Sequence, residues 1–120
     1  MLKTMARLSL VLLLIAASAL AADVTGAWAF TVDSPAGTGN PTFVFKQDGE
    51  KLTGTYTGML GKADVTGTVK GDKIEFEFQA SYEGQKFAVR YSGTIASPTQ
   101  MKGTVQLADL GEGAWTATKK

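Results

Sequence analysis

The sequence predicts an all-β protein, an eight-stranded antiparallel up-and-down meander barrel behind an N-terminal signal peptide. Three observations carry this reading. After residue 21, apolar and polar residues alternate with period two over most of the chain. No window repeats apolar residues at helical spacing between caps. Turn pairs and short Gly-, Pro- and Asp-containing links recur about every 12 residues, a spacing that suits a meander.

The leader is read first. Lys3 and Arg7 form a positive start, Leu8–Ile15 is an apolar run too short to span a bilayer, and Ala19-Leu20-Ala21 fits a small-x-small cleavage site. Residues 1–21 are therefore expected to be a signal peptide cut after Ala21, give or take about two residues. The alternative is an N-terminal membrane anchor. Residues 22–120 are expected to form one domain of 99 residues, with 10 basic and 11 acidic side chains, exported to the periplasm or the extracellular space.

The strands follow in order. Val24–Val32 opens the set, then Thr42–Gln47, Leu52–Thr57 and Ala63–Lys70. Lys73–Tyr82 alternates most clearly: Ile74, Phe76, Phe78 and Ala80 share one face, while Glu75, Glu77, Gln79 and Ser81 share the other. Gln85–Ile95, Gln100–Leu107 and Ala114–Thr118 complete the eight. Asp48-Gly49, Gly71-Asp72, Glu83-Gly84 and Ala96–Thr99 are the expected turns. All links are short, so no Greek-key crossover is available. Closing the first strand on the last removes two exposed edges.

The expected inward set comprises Val24, Trp28, Phe30, Val32, Phe43, Phe45, Leu52, Tyr56, Val65, Val69, Ile74, Phe76, Phe78, Ala80, Phe87, Val89, Tyr91, Ile95, Met101, Val105, Leu107, Trp115 and Ala117. The outward set is Thr, Lys, Glu, Gln and Ser, which argues against an outer-membrane barrel and against membrane insertion of the mature domain. A pattern of the form apolar-x-Gly-Thr/Ala-apolar recurs as VTGAW, LTGTY, VTGTV, YSGTI and MKGTV, each with an inward Gly. Such a glycine lets a tightly coiled wall bend; the alternative is space cleared for a ligand.

Composition removes whole classes of chemistry. With no His and no Cys there is no His/Cys metal site, disulfide, Ser-His-Asp triad or thiol centre. Glu75 and Glu77 sit side by side on what should be an open wall, where nothing separates their acidities for acid/base work. Asp33, Asp64 and Asp72 have no calcium-loop spacing. The formal charge is +1 and no Lys/Arg stripe suits nucleic acid. The expectation is a non-enzyme with no cofactor and no metal.

Loop length differs between the two ends, with the long connections concentrated on one of them. Asp33–Pro41, Gly58–Lys62, Glu83-Gly84 and Ala108–Gly113 fall together at the end called the top, with apolar tips Met59, Leu60 and Leu110. These tips either plug the core or line a mouth. Trp28 and Trp115 should meet across the barrel seam as a closing aromatic cluster or as ligand walls. The candidate ligand residues are Trp28, Phe30, Tyr56, Met59, Leu60, Phe76, Tyr91, Leu110 and Trp115.

VTGAW, the LTGTY that follows QDGEK, and the late WTAT resemble the avidin and streptavidin pattern over roughly Val24–Gly58 and the last strand. The whole mature chain is also similar to short secreted bacterial lipocalin-like barrels. The avidin resemblance implies a meander barrel with a ligand mouth at one end, and places Tyr56 where that family has a tyrosine contacting the biotin ureido oxygen. Phe30 and Gly58 stand where the family has Asn and Ser, the tryptophan set is incomplete, and the last strand lacks the ureido-contacting Asp. The resemblance therefore does not extend to tight biotin binding.

Two functions are expected from different classes. One is a module binding a small apolar or amphipathic ligand in a pocket of at least about 300 Å³, reached past Met59 and Leu60. A lumen packed solid between Phe30, Phe76, Phe87 and Tyr91 would exclude it. The other is a non-catalytic interaction or accessory module, a filled barrel presenting its top loops to an exported partner protein.

Overall fold

The computed structural model describes residues 22–120. The expected signal peptide lies outside these residues. Nine strands form in chain order: β1 (Gly26–Ser34), β2 (Gly37–Gly39), β3 (Thr42–Asp48), β4 (Lys51–Gly58), β5 (Gly61–Lys70), β6 (Lys73–Tyr82), β7 (Gln85–Ser97), β8 (Gln100–Gln106) and β9 (Glu112–Lys119). From β3 onward each strand pairs antiparallel with the next. The ring is β1 and β3 to β9, eight strands. It closes where β9 returns to β1, with Trp28 opposite Lys119 and Val32 opposite Trp115. The short β2 extends the sheet above it.

Seven of the expected strands are reproduced with small shifts at their ends. The first is displaced: β1 starts at Gly26, and Val24 instead tucks under the barrel. Its N–H donates to Gln47 Oε1 at 2.9 Å, Gln47 Nε2 donates to the Ala22 carbonyl at 2.9 Å, and the Trp28 indole N–H donates to the Val24 carbonyl at 2.8 Å. Val24 is 1% exposed, so this segment closes the bottom of the barrel.

The expected loop Asp33–Pro41 is mostly not a loop. β1 runs on to Ser34, turns at Pro35-Ala36, and β2 pairs back with Val32 opposite Gly39. Phe30 N–H then donates to the Pro41 carbonyl at 3.0 Å, which carries the ladder across the gap into β3. Proline interrupts the strand because it has no N–H to give. Gly58–Lys62 is equally tight: Gly58 pairs with Gly61 around a two-residue Met59-Leu60 turn. The asymmetry in loop length between the two ends thus shrinks to a single segment, 107–111, which contains a 3-10 turn over Ala108–Leu110.

Period-two alternation works as expected inside the ring. Every member of the inward set is buried except Phe87, which is half-buried and packs on the core from the rim. Rings fill the lumen. Phe43 lies 4.4 Å from Phe30, 5.1 Å from Phe76, 5.3 Å from Tyr56 and 5.3 Å from Tyr91, centroid to centroid. Phe76 stacks on Tyr91 at 4.8 Å, and Tyr56 on Phe78 at 4.2 Å. These spacings are those of close-packed aromatic pairs.

The recurring glycines are architectural. A Cβ on Gly103 would collide with the Ser92 carbonyl oxygen and stand 2.5 Å from Gly93 Cα. A Cβ on Gly67 would collide with the Glu75 carbonyl oxygen and stand 2.7 Å from Phe76 Cα. At Gly54, Gly67, Gly93 and Gly103 the neighbouring strand's backbone already occupies the space, so these glycines clear no room for a ligand, while Gly26 sits at positive φ beside the Lys119 side chain. The four permit the close strand approach that a narrow barrel requires.

Candidate functional site

The upper end holds one small apolar mouth of about 120 Å³. Its walls come from the β1–β2 hairpin (Val32, Ala36, Gly39), the β4–β5 turn (Met59, Leu60), Phe87 at the start of β7, and Leu107 and Leu110 beside β8. Tyr56 and Tyr91 also line it. No charged side chain does. Each wall follows from its local fold. The two-residue turn throws Met59 outward, 82% exposed, while Leu60 folds back onto the core. The 3-10 turn leaves Leu110 50% exposed on the opposite rim.

The nine expected ligand residues separate in space. Tyr56, Met59, Leu60, Tyr91 and Leu110 come together at the mouth. Trp28, Phe30, Phe76 and Trp115 do not line it. Trp28 sits low, hydrogen-bonded to Val24. Phe30 and Phe76 are deep in the packed lumen. Trp115 stacks on Phe30 at 4.9 Å and donates its indole N–H to the Thr104 carbonyl at 2.8 Å. The expected cluster of Trp28 with Trp115 does not form, because β1 and β9 pair with Trp115 opposite Val32 and Trp28 opposite Lys119. That register puts the two indoles at different heights. Val32, Phe87 and Leu107 complete the mouth; they were legible as inward residues, but nothing in their spacing marked them as rim.

The expected pocket of 300 Å³ is not present at this end. Phe30, Phe76 and Tyr91 fill the lumen, with the Phe30 ring 6.0 Å and 5.9 Å from the other two, which excludes the ligand site expected inside the lumen and leaves only the shallow mouth above it. Phe87 stands apart from them and walls the mouth above. A broader trough of about 820 Å³ crosses the outer wall of β5 to β9. It carries exposed Thr66, Thr68, Glu75 and Glu77, and is an open saddle produced by strand coiling. Glu77 pairs there with Arg90 at 3.1 Å, both side chains being exposed.

Two phenols, together with Ser34, Thr38 and Asn40 in the lining, give the mouth its polar groups. Tyr56 Oη accepts the Leu60 N–H at 3.3 Å, which fixes the turn over the opening. Gly58 makes this possible, because a Cβ there would stand 2.5 Å from that oxygen. Burial pushes the Tyr56 hydroxyl up, with the Leu60 N–H partly offsetting it. Burial pushes Tyr91 far higher, and the neighbouring Tyr56 adds in the same sense.

A pH prediction follows. Tyrosines in the unfolded chain lose their protons near pH 10, while folded Tyr91 keeps its own. Above that pH the unfolded state binds fewer protons than the folded one, so stability is full below about pH 10 and falls as pH rises further. The slope expected from Tyr91 is about 1.4 kcal/mol per pH unit. No charged side chain is buried among the described residues, so no comparable loss is expected in mild acid. Thermal melts from pH 4 to 11.5 check this, and Tyr91→Phe should flatten most of the alkaline limb.

No protein-family model matches the chain, and no curated protein matches it. A solved structure does: "Structure of EF1p2_mFAP2b bound to DFHBI", with a TM-score of 0.55 and 18% identity over 81% of this chain and 94% of that one. The two chains share a barrel fold. At this identity the likeness is one of architecture, in keeping with the lipocalin- or avidin-like barrel that the sequence pattern resembles. Among the described residues no helix is long and apolar enough to cross a membrane.

Proposed function

We propose that this protein is an exported, non-catalytic binding module that takes a small apolar or amphipathic ligand at the upper mouth of its barrel. The observation that carries this reading is an uncharged apolar opening, floored by two phenols and rimmed by exposed Met59 and Leu110. Its volume of about 120 Å³ is near that of cavities of roughly 150 Å³ that hold benzene. One ring or a short chain would enter, and the remainder of a longer ligand would lie across Met59 and Leu110. The similar barrel bound to DFHBI supports the reading by showing that a barrel of this architecture holds a small molecule. The absence of His and Cys from the sequence supports a role without catalysis.

Gly39 offers a direct test. Its Cβ would project toward the mouth and meet only Met59 Sδ, at 3.6 Å. Gly39→Leu should therefore plug the opening while sparing the barrel. Binding of a neutral naphthalene-ketone fluorophore is expected to weaken at least about tenfold, equivalent to 1.4 kcal/mol, with the thermal midpoint nearly unchanged. Equal binding by both proteins would refute the site.

A second reading has its own support. The filled lumen and the exposed Met59 and Leu110 suit an accessory module that docks a partner protein through its top. Recovery of one exported protein by wild type, but not by the Met59→Ala/Leu60→Ala variant, would select it.

A further inference from the structure

The Tyr91 side chain is 4% exposed, yet none of the described residues forms a hydrogen bond with its hydroxyl. Among the described residues no buried side-chain oxygen is both closed off and without a partner, which accords with a Tyr91 hydroxyl open to the mouth. The ring is held by Phe76 stacked at 4.8 Å and by Phe43 and Trp115 at 5.3 and 5.8 Å, so it has little freedom to turn toward another partner. Tyr91 lines the mouth, and it also borders the outer trough. Tyr56 lines the mouth too, and its oxygen already accepts the Leu60 N–H, so its own proton is free to be donated.

From this arrangement we infer that the ligand class is a neutral molecule with a hydrogen-bond acceptor at the tip of an apolar body, entering acceptor first, its carbonyl-type oxygen receiving the Tyr91 hydroxyl proton. The inference rests on the mouth being the binding site. Its chemistry is specific. A pure hydrocarbon would leave a buried donor without a partner. An anion would be stripped of water in an opening with no cation on its walls. A ketone, ester or amide oxygen has the lone pairs for both phenols and carries no charge.

Acetophenone, ethylbenzene and benzoate separate these cases, being nearly equal in size and differing at the head. Binding is read from amide shifts of Leu60 and Phe87 in the purified protein, for wild type and Tyr91→Phe, a substitution that keeps the ring. Wild type is expected to bind acetophenone about five- to tenfold more tightly than ethylbenzene, with benzoate weakest. Tyr91→Phe should erase the ketone's advantage and leave ethylbenzene affinity unchanged. Equal affinity of wild type for the ketone and the hydrocarbon would overturn this inference and leave the mouth site standing, as would a ketone preference that survives in Tyr91→Phe. No binding of any of the three would overturn both.

Discussion

Gly103→Val is expected to abolish folding. Even the first carbon of the new side chain would overlap the Ser92 carbonyl oxygen and press on Gly93 Cα, which is itself a glycine paired directly across the ladder from Gly103. The obstruction is backbone, not the far end of a flexible side chain, so no rotamer change relieves it. Overpacking a core that can adjust costs about 1–3 kcal/mol. Here β7 and β8 would have to separate, breaking hydrogen bonds in a closed ring that has no edge to absorb the shift. A domain of this size has about 5–15 kcal/mol of stability in total. Gly103→Ala should already cost about 3 kcal/mol or more. Urea titration followed by the fluorescence of Trp28 and Trp115 measures both variants. A native-like midpoint for Gly103→Val would mean that the strands do not approach as closely as described.

Phe43→Ala should be the most damaging truncation in the lumen, at about 3–5 kcal/mol. Phe43 is fully buried and touches the rings of Phe30, Phe45, Tyr56, Phe76, Phe78 and Tyr91 at 4.4 to 6.1 Å. Its removal takes contacts from all of them at once, and the ring wall cannot collapse inward to close the gap. The thermal midpoint should fall by at least about 4 °C for each kcal/mol lost. The void would lie beside Tyr56 and Tyr91, the floor of the mouth. The same variant is therefore expected to gain affinity for benzene-sized ligands and to recover part of its midpoint when benzene is added. A loss below about 1 kcal/mol would contradict the tight packing.

These two variants also show which parts of the molecule can be read from residue order. Strand after strand, the side to which a residue points follows from the pleat alone, because successive side chains alternate whatever the barrel's diameter. Phe76 and Tyr91 are inside, and Glu75 and Glu77 outside, for that reason. Phe87 departs from this because β7 begins at the rim, where an inward side chain has neighbours on one side only. Asp33–Pro41 departs for a different reason. Its Pro, Gly, Ser and Asn content reads as a loop, yet the upper half of β1 needs hydrogen-bond partners on its second edge, and the β1–β2 hairpin supplies them. The recurring glycines were legible as places where a tightly coiled wall can bend, but the close approach of the neighbouring backbone was not.

The candidate site was legible only in pieces. Met59, Leu60 and Leu110 were visible as apolar residues in turns, and Tyr56 and Tyr91 as inward phenols. That these five meet, while Trp28, Phe30, Phe76 and Trp115 lie elsewhere, depends on register. A pairing of β1 with β9 displaced along the strand by two residues would preserve every alternation and still change which side chains reach the rim.

Residue order alone therefore decides that this chain is β, that its links are hairpins, and which face of each strand is dry, since these depend on neighbours one to four positions away. Tertiary structure alone decides that the lumen is full and that the opening is a shallow mouth. Both depend on the diameter and stagger at which the sheet closes, and those are properties of all eight strands together.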